Sequence, residues 1–294
     1  MTLFLRRSVP RNLYDTVSED SAAVVISQYS SSFGVASRLL AEPVRTQVRN
    51  IYALVRVADE IVDNPSPDLA REARERMLTW LLEDVRHALV AGYSANLVVH
   101  AFARTALSVG IEDDVVEPFF ASMRMDLDTT THTPATFDRY VYGSAEVVGL
   151  MCLRAFVAAP DGPADPAAAY DALSPGARRL GAAFQKLNFL RDLADDHDLL
   201  HRTYFPGLDP DRFCDADRDR ILDDIDADLA AASAVVPELP PSSRRAVSAA
   251  HATFAELSSR LRRTSAQEIR RSRVRVPTAV KLRIAAGAVY GGRS

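Results

Sequence analysis

Residues 44–63 read VRTQVRNIYALVRVADEIVD, and this stretch indicates the fold class. Its apolar side chains recur at steps of four, three, four, three and four residues, at Val44, Val48, Ile51, Val55, Ala58 and Val62. Because an α-helix has about 3.6 residues per turn, these positions form one continuous apolar stripe. The stretch therefore predicts a helix with one face in a protein core.

The helical period continues along the chain. It predicts further helices at about 68–91, 95–109, 115–125, 137–158, 177–200, 217–235, 243–272 and 278–290. Proline and glycine clusters at 64–67, 160–163 and 174–176 separate them, and no segment alternates as a strand does. We predict one all-α bundle over residues 1–294, with residues 1–19 as a loosely ordered N-terminal segment.

Composition and charge exclude several classes of protein. Of 294 residues, 48% are hydrophobic and 25% charged, which is enough for a sizeable core and excludes a disordered chain. A net charge of −4 argues against general nucleic-acid binding. The chain has only two cysteines, and it shows neither a signal-peptide pattern nor an uninterrupted run of about 18 apolar residues. We therefore predict a cytoplasmic protein. Any membrane contact is expected to be peripheral.

A second stripe lies one residue along from the apolar stripe of the first helix. It consists of Tyr52, Arg56, Asp59 and Asp63 at steps of four, three and four residues. These side chains therefore border the buried face of the helix. Two carboxylates one turn apart suit divalent cations, which prefer oxygen ligands and often bridge to a phosphate.

Residues 180–196 repeat this arrangement in the sequence LGAAFQKLNFLRDLADD. Beside an apolar stripe run Gln185, Asn188, Asp192 and Asp196, and Arg191 adjoins the first carboxylate. Either helix alone could present an ordinary salt-bridged face. The two together predict a cage for several Mg²⁺ ions and an oligophosphate. The chain has no glycine-rich phosphate loop, so metal ions and arginines would bind the phosphate.

Two other patterns are weaker candidates for metal sites. Residues 223–228 also place aspartates four apart, but the surrounding apolar residues are explained by an ordinary amphipathic helix. His197 and His201 have a zinc-like spacing without an evident third ligand, so we interpret them as loop or helix-end residues.

Over residues 20–290 the chain resembles the phytoene/squalene synthase family of head-to-head prenyl transferases. Its motifs are most similar to those of the bacterial phytoene synthases. The resemblance rests on five blocks, at residues 30–33, 52–63, 140–149, 185–196 and 202–206. It implies a helical isoprenoid-synthase fold with a central active-site cavity.

The resemblance also implies an activity. A 15-cis-phytoene synthase condenses two geranylgeranyl diphosphates through a cyclopropylcarbinyl diphosphate (prephytoene diphosphate) to phytoene, the first committed step of carotenoid biosynthesis. Mg²⁺ would be the cofactor, with Mn²⁺ as a substitute, and no NADPH would be needed.

Site residues follow from the matched motifs. The catalytic set would be Asp59, Asp63, Asp192, Asp196, Tyr52 and Arg56, and the metal ligands Asp59, Asp63, Asn188, Asp192 and Asp196. The diphosphate would contact Ser32, Tyr52, Arg56, Gln185, Asn188, Arg191 and Arg273, and the cavity aromatics would be Phe33 and Tyr140. Asp195 is an alternative to Asp196, and Arg275 to Arg273. Phe254 stands where family members often have Tyr.

Two other functions remain open at this point. One is a squalene-type synthase that uses farnesyl diphosphate to form presqualene diphosphate, squalene, hydroxysqualene or dehydrosqualene. The other is a non-catalytic assembly factor of the same superfamily, against which the intact aspartates argue. Residues 260–294 contain ten basic residues and one acid, which predicts peripheral contact with an anionic membrane during product release. The sequence leaves the oligomeric state open.

Overall fold

The computed structural model describes residues 11–30, 32–63, 69–194, 198 and 202–290, without the side chains of residues 32, 33 and 290. In these ranges the chain is helical and contains no strand, only one isolated bridge between Thr131 and Thr203. The predicted all-α class is confirmed. The α-helices are α1 Leu13–Tyr29, α2 Ser32–Ser37, α3 Val44–Asp63, α4 Arg71–Ala91, α5 Leu97–Val109, α6 Asp113–Asp128, α7 Pro134–Val141, α8 Val147–Val157, α9 Pro166–Arg191, α10 Asp215–Val235, α11 Pro241–Arg263, α12 Ala266–Ile269 and α13 Thr278–Tyr290.

Helix α3 has the predicted bounds and the predicted buried face. Five of the six stripe residues are buried, and Val55 is half-buried. The helix packs against α1, α4, α5, α6 and α8, so it lies inside one half of the bundle. Helix α9 packs against α8, α10 and α11 and forms the centre of the other half. The side chain of Leu180 on α9 packs against the apolar cores of both halves.

The N-terminal prediction is wrong for residues 13–19, which form the first turns of α1. The buried side chains of α1 include Asp15 and Ser18, so this helix lacks a continuous apolar stripe. Asp15 accepts a hydrogen bond from the ring of His100 on α5 at 2.9 Å, in one tautomer of that ring, and lies 3.3 Å from Arg104. The helix is thus held by a buried polar contact with a distant part of the chain.

Two predicted helix boundaries are also wrong. The expected break at 174–176 lies inside α9, which begins at Pro166 and includes Pro175. The segment 243–272 is divided, because α11 ends at Arg263 and Ser265 caps the short helix α12. The hydroxyl of Ser265 accepts a hydrogen bond from the Glu268 amide, which favours a new helix start over continuation.

Between α7 and α8 the chain forms one π-helical turn, Tyr142–Glu146. Glycines allow this region to approach α9 closely. A Cβ at Gly181 would lie 2.5 Å from the Ala145 carbonyl oxygen, and one at Gly149 would lie 2.7 Å from that of Ala177. The turn and α8 therefore lie almost backbone to backbone against α9.

One stretch of the described chain, Pro134–Val157, is long and apolar enough to cross a membrane by length and composition. It is interrupted by charged residues such as Glu146 and Arg154. Of its most apolar window, 61% is buried inside the protein, as is usual for a helix of a protein core.

Candidate active site

A cavity of about 350 Å³ lies between α2, α3, α6, the π turn with α8, α9, α10 and α11. Most of its polar lining comes from the later turns of α3 and α9, and we term this region, which consists of Tyr52, Arg56, Asp59, Gln185 and Asn188, the polar end. Ser37, Tyr140 and Ser144 also line the cavity. Earlier turns of both helices contribute apolar side chains such as Val48 and Leu173. The lining along α9 runs from Leu173 to Asn188, which corresponds to about 22 Å of helix.

On α3, the three polar residues of the lining are held by their neighbours. Arg56 donates to Asp59 at 2.6 Å and also contacts Glu60. Its guanidinium lies 4.5 Å from the ring centroid of Tyr29, the last residue of α1. Burial raises the pKa of Tyr52, so its hydroxyl stays protonated and available as a donor. Helix α1 therefore covers the arginine of the polar end.

The carboxyl of Asp59 has a raised pKa. Burial and the neighbouring Asp63 together raise its pKa from 3.8 to about 6, and Arg56 and Arg202 oppose the change. One third of its side-chain surface stays accessible, and it lines the cavity. Asp63 accepts a hydrogen bond from Arg202 at 2.7 Å. The charge of Asp63 thus disfavours the ionised form of Asp59, and a bound cation would relieve this repulsion.

On α9, Gln185 and Asn188 line the cavity, and Asp192 caps the C-terminus of the helix. Asp192 is paired with Arg191 at 2.5 Å and with Arg273 at 2.7 Å. The sequence does not decide between Arg273 and Arg275 as the diphosphate-binding residue, and in the structure Arg273 contacts Asp192. Burial, Arg191 and Arg275 lower the pKa of Lys281, so basic groups also converge here.

Several predicted site residues lie outside the described residues: the side chains of Ser32 and Phe33, Asp195, Asp196, His197 and His201. Among the residues that the structure describes, no three Asp, Glu, His or Cys side chains are grouped closely enough to hold a metal ion. The metal cage, and the role of each residue in it, therefore stays a prediction.

A buried carboxyl that the sequence analysis missed lies beside the polar end. The hydroxyl of Tyr140, whose ring lines the cavity, donates to Asp126 on α6 at 2.8 Å. Arg202 donates to the Asp126 carbonyl oxygen at 2.9 Å and to Asp63, so it joins α6 to the end of α3. A signal was present in the sequence, because Asp126 continues the buried positions of Phe119 and Met123 at helical spacing.

The aspartates of residues 223–228 have partners of their own. Lys186 on α9 lies 2.5 Å from Asp224 and 2.8 Å from Asp228, and Arg179 lies 2.7 Å from Asp228. These contacts join α9 to α10 at positions that do not line the cavity. Their geometry agrees with the interpretation as an ordinary helix face.

At the position where relatives often have Tyr, the structure shows a stacked aromatic pair. The ring of Phe254 on α11 lies 3.8 Å from that of Phe184, with 17° between the planes, and both line the cavity. The position therefore contributes an aromatic face to the cavity wall and no hydroxyl.

The basic C-terminal region is less uniformly basic than its sequence suggests. Four of its ten basic residues form ion pairs with acidic side chains, and these are Arg260, Arg262, Arg270 and Arg273. Arg293 lies outside the described residues. Part of the expected surface charge is thus neutralised within the protein.

Fold and site together define an all-helical protein with a largely apolar cavity that has Asp59 and Arg56 at one end. The family model for squalene/phytoene synthase matches residues 26–279. The chain belongs to this family, which confirms the resemblance seen in the sequence.

Named relatives agree with this assignment. The phytoene synthase of Pseudescherichia vulneris is 26% identical over 261 residues, which cover 81% of this chain and 80% of that protein. The presqualene diphosphate synthase of Rhodopseudomonas palustris is 29% identical over 191 residues, 61% of this chain and 63% of that protein. A solved dehydrosqualene synthase superposes with a TM-score of 0.77 at 17% identity and covers 95% of this chain and 98% of its own. Family and relatives indicate a prenyltransferase-type enzyme that uses prenyl diphosphates.

Proposed function

We propose that the protein condenses two geranylgeranyl diphosphates head to head, through prephytoene diphosphate, to phytoene. The observation that carries this proposal is the two-part cavity, with Asp59, Arg56 and neutral polar groups at one end and an apolar wall along α9 from Leu173 to Phe184, about 16 Å of helix. A prenyl diphosphate has the same two parts, an anionic head and a long hydrocarbon chain.

The reaction balances without an oxidant or reductant. In the first half, the allylic C1–O bond of one substrate breaks and diphosphate leaves with the electron pair. The double bond of the second substrate attacks C1, and loss of a proton closes the cyclopropane ring. In the second half, the remaining C–O bond breaks, the carbon skeleton rearranges, and loss of a second proton gives the hydrocarbon. Two diphosphates and two protons are released in all.

The polar end supplies the groups that these steps need. Arg56 and Arg191 donate charge-assisted hydrogen bonds to the diphosphate oxygens, and Tyr52, Gln185 and Asn188 add neutral hydrogen-bonding groups. The ring of Tyr140, fixed by its bond to Asp126, presents a π-face to the cationic intermediates. The apolar wall excludes water, which would otherwise capture a cation.

The donor set fits Mg²⁺. Burial and the charge of Asp63 raise the pKa of Asp59, and both aspartates lie at the C-terminal, negative end of a helix. Asp59, Asp63, Asn188, Asp192 and Asp196 would hold the ions. Bound Mg²⁺ would neutralise the charge that develops on the leaving diphosphate. Arg202 would orient Asp63 through its 2.7 Å contact.

The small residues of the cavity wall are an argument for the longer, C20 substrate. Alanine occupies six lining positions: Ala36, Ala145, Ala177, Ala232, Ala246 and Ala250. Such a wall leaves room for a C20 chain. The relative that matches over four fifths of both chains is also a phytoene synthase.

The second candidate is a squalene-type reaction on farnesyl diphosphate. It is supported by the similarity to a presqualene diphosphate synthase, at 29% identity over 191 residues. Both candidates begin with the same condensation and differ in the length of the chain.

Product analysis distinguishes the two. The purified protein is incubated with Mg²⁺ and with C15 and C20 diphosphates together, with and without NADPH, and the lipids are analysed by mass spectrometry. We expect phytoene from the C20 substrate, without NADPH. Exclusive use of the C15 substrate would favour the squalene-type activity. If neither substrate releases diphosphate, the enzyme function is wrong and a non-catalytic role is favoured.

We also propose a weak, reversible contact with anionic membranes. A C40 hydrocarbon does not dissolve in water and needs a bilayer to receive it. Exposed basic residues of the C-terminal region, such as Arg263 and Arg271, have no acidic partner among the described residues and would supply the attraction.

A further inference from the structure

Ser144, in the π turn, lines the cavity with a hydroxyl that has no hydrogen-bond partner among the described residues. Its Oγ is buried away from solvent, although the residue as a whole is half-buried. Buried hydroxyls are nearly always hydrogen-bonded, because leaving one unpaired is energetically unfavourable. This hydroxyl therefore has a hydrogen-bonding capacity that none of the described residues uses.

The π turn explains why Ser144 finds no partner on its own helix. A helical serine usually donates to the carbonyl oxygen four residues earlier, which here belongs to Tyr140. That oxygen instead accepts a hydrogen bond from the hydroxyl of Ser122 at 3.2 Å. The Val147 amide donates to the Tyr142 carbonyl oxygen, five residues back, which widens the turn. Such single π turns frequently occur at functional sites.

The position of Ser144 relative to the polar end follows from the close contact of the turn with α9. The neighbouring Ala145 carbonyl oxygen lies beside Gly181, where a Cβ would be only 2.5 Å away. Gly181 precedes Gln185 by one helical turn, or about 6 Å along α9. Ser144 thus lies where the polar end gives way to the apolar wall, one turn after Tyr140. A prenyl diphosphate with its head at the polar end and its chain along the wall would pass this point.

We propose that the Ser144 hydroxyl donates a hydrogen bond to a diphosphate oxygen of the bound prenyl substrate. This inference rests on the proposed use of prenyl diphosphates and assigns a further binding residue to that site. The hydrogen bond strengthens as the C1–O bond breaks, because negative charge then accumulates on the departing oxygen. Ser144 would therefore assist departure of the diphosphate as well as its binding.

Three variants test the proposal: Ser144→Ala removes the hydroxyl, Ser144→Thr keeps it, and Ser174→Ala is the matched control. Ser174 is a half-buried serine on α9 that does not line the cavity, and its hydroxyl already donates to the Tyr170 carbonyl oxygen at 2.6 Å. Helical circular dichroism verifies that each variant folds. Since the exchange of serine for alanine favours helix, we expect all three to fold.

The first measurement is the rate of diphosphate release from geranylgeranyl diphosphate with Mg²⁺, as kcat and KM. A hydrogen bond to a charged group predicts a loss of about 10- to 100-fold in kcat/KM for Ser144→Ala, mostly in kcat. We expect Ser144→Thr and Ser174→Ala to stay within about threefold of wild type, a change of less than 1 kcal/mol. A kcat/KM for Ser144→Ala equal to that of the Ser174 control would overturn the proposal.

The second measurement does not depend on turnover. Binding of inorganic diphosphate with Mg²⁺ is measured by calorimetry, and we expect a Kd at least about tenfold weaker for Ser144→Ala than for wild type. If wild type releases no diphosphate from any prenyl substrate, the proposed function fails, and this measurement alone decides the role of Ser144. An unchanged Kd in that case refutes it.

Discussion

Replacement of the buried Asp126 by Asn is expected to change how the stability of the protein depends on pH. Asp126 is 8% exposed, accepts the Tyr140 hydroxyl at 2.8 Å, and has its carboxyl 3.8 Å from Arg202. Asn keeps the shape and one acceptor oxygen but cannot ionise. The variant therefore tests the cost of a buried charge with little change in packing.

The expected magnitude follows from the pKa of this carboxyl. Burial raises it from 3.8 to about 7, against the attraction of Arg202. A raised pKa means that the native state keeps a proton that the unfolded chain has released. Stability therefore falls as the pH rises toward about 7 and does not fall further above it. Since each pKa unit corresponds to about 1.4 kcal/mol, the loss between pH 5 and pH 8 is about 3 kcal/mol.

Urea unfolding of wild type and Asp126→Asn at pH 5 and pH 8 measures this loss. The difference in unfolding free energy should shift by about 3 kcal/mol in favour of the variant at the higher pH. Asp128→Asn is the control. A hydrogen bond from Arg71 lowers the pKa of Asp128, so both states are ionised throughout this range and the difference should stay constant. A constant difference for Asp126→Asn as well would refute the reasoning.

Three other outcomes are expected. Asp59→Ala and Asp192→Ala should each lower the rate of diphosphate release by orders of magnitude while helical circular dichroism persists, and near-wild-type rates would contradict the assignment of the site. Asp224→Ala, which removes only an exposed partner of Lys186, should leave the rate nearly unchanged. Arg56→Lys and Arg191→Lys keep the charge but lose the planar fork, so substrate binding should weaken or the cyclopropyl intermediate should accumulate, as product analysis would show. The protein should co-sediment with anionic vesicles at low salt and much less at high salt or with neutral lipid, and negligible pelleting under all conditions excludes the membrane contact.

The sequence predicts an element well when the pattern of buried and polar residues within that one segment is enough to define it. Helix α3 was predicted almost to the residue, because its buried and polar stripes both follow the helical period within 20 residues. The polar stripe also placed Tyr52, Arg56 and Asp59 on one side, and all three line the cavity. Local spacing is sufficient here, since the helix fixes which side chains share a face.

Features that depend on distant contacts could not be predicted in this way. Helix α1 has a partly polar buried face that makes sense only with His100 and Arg104 in place. Pro175 lies inside α9, where local rules predict an end, and at the next residue a Cβ on Gly176 would lie 2.1 Å from Val235. Tertiary packing at this position outweighs the local preference. The bonds of Arg202 to Asp63 and Asp126 likewise join segments far apart in sequence.

The ion pairs at the polar end give a physical reason why metal and diphosphate should bind together. Each predicted metal-binding carboxylate in the described part of the chain contacts an arginine: Asp59 with Arg56, Asp63 with Arg202, and Asp192 with Arg191 and Arg273. A lone cation would have to compete with these arginines for the carboxylates, and a lone diphosphate would have to draw the arginines away. When both bind, the carboxylates would pair with the metal and Arg56, Arg191 and Arg273 with the phosphate, while Arg202 would keep its contact with Asp63, so no charge would lose its partner. Each ligand therefore removes a cost that the other would meet alone, which is a positive coupling between the two binding events.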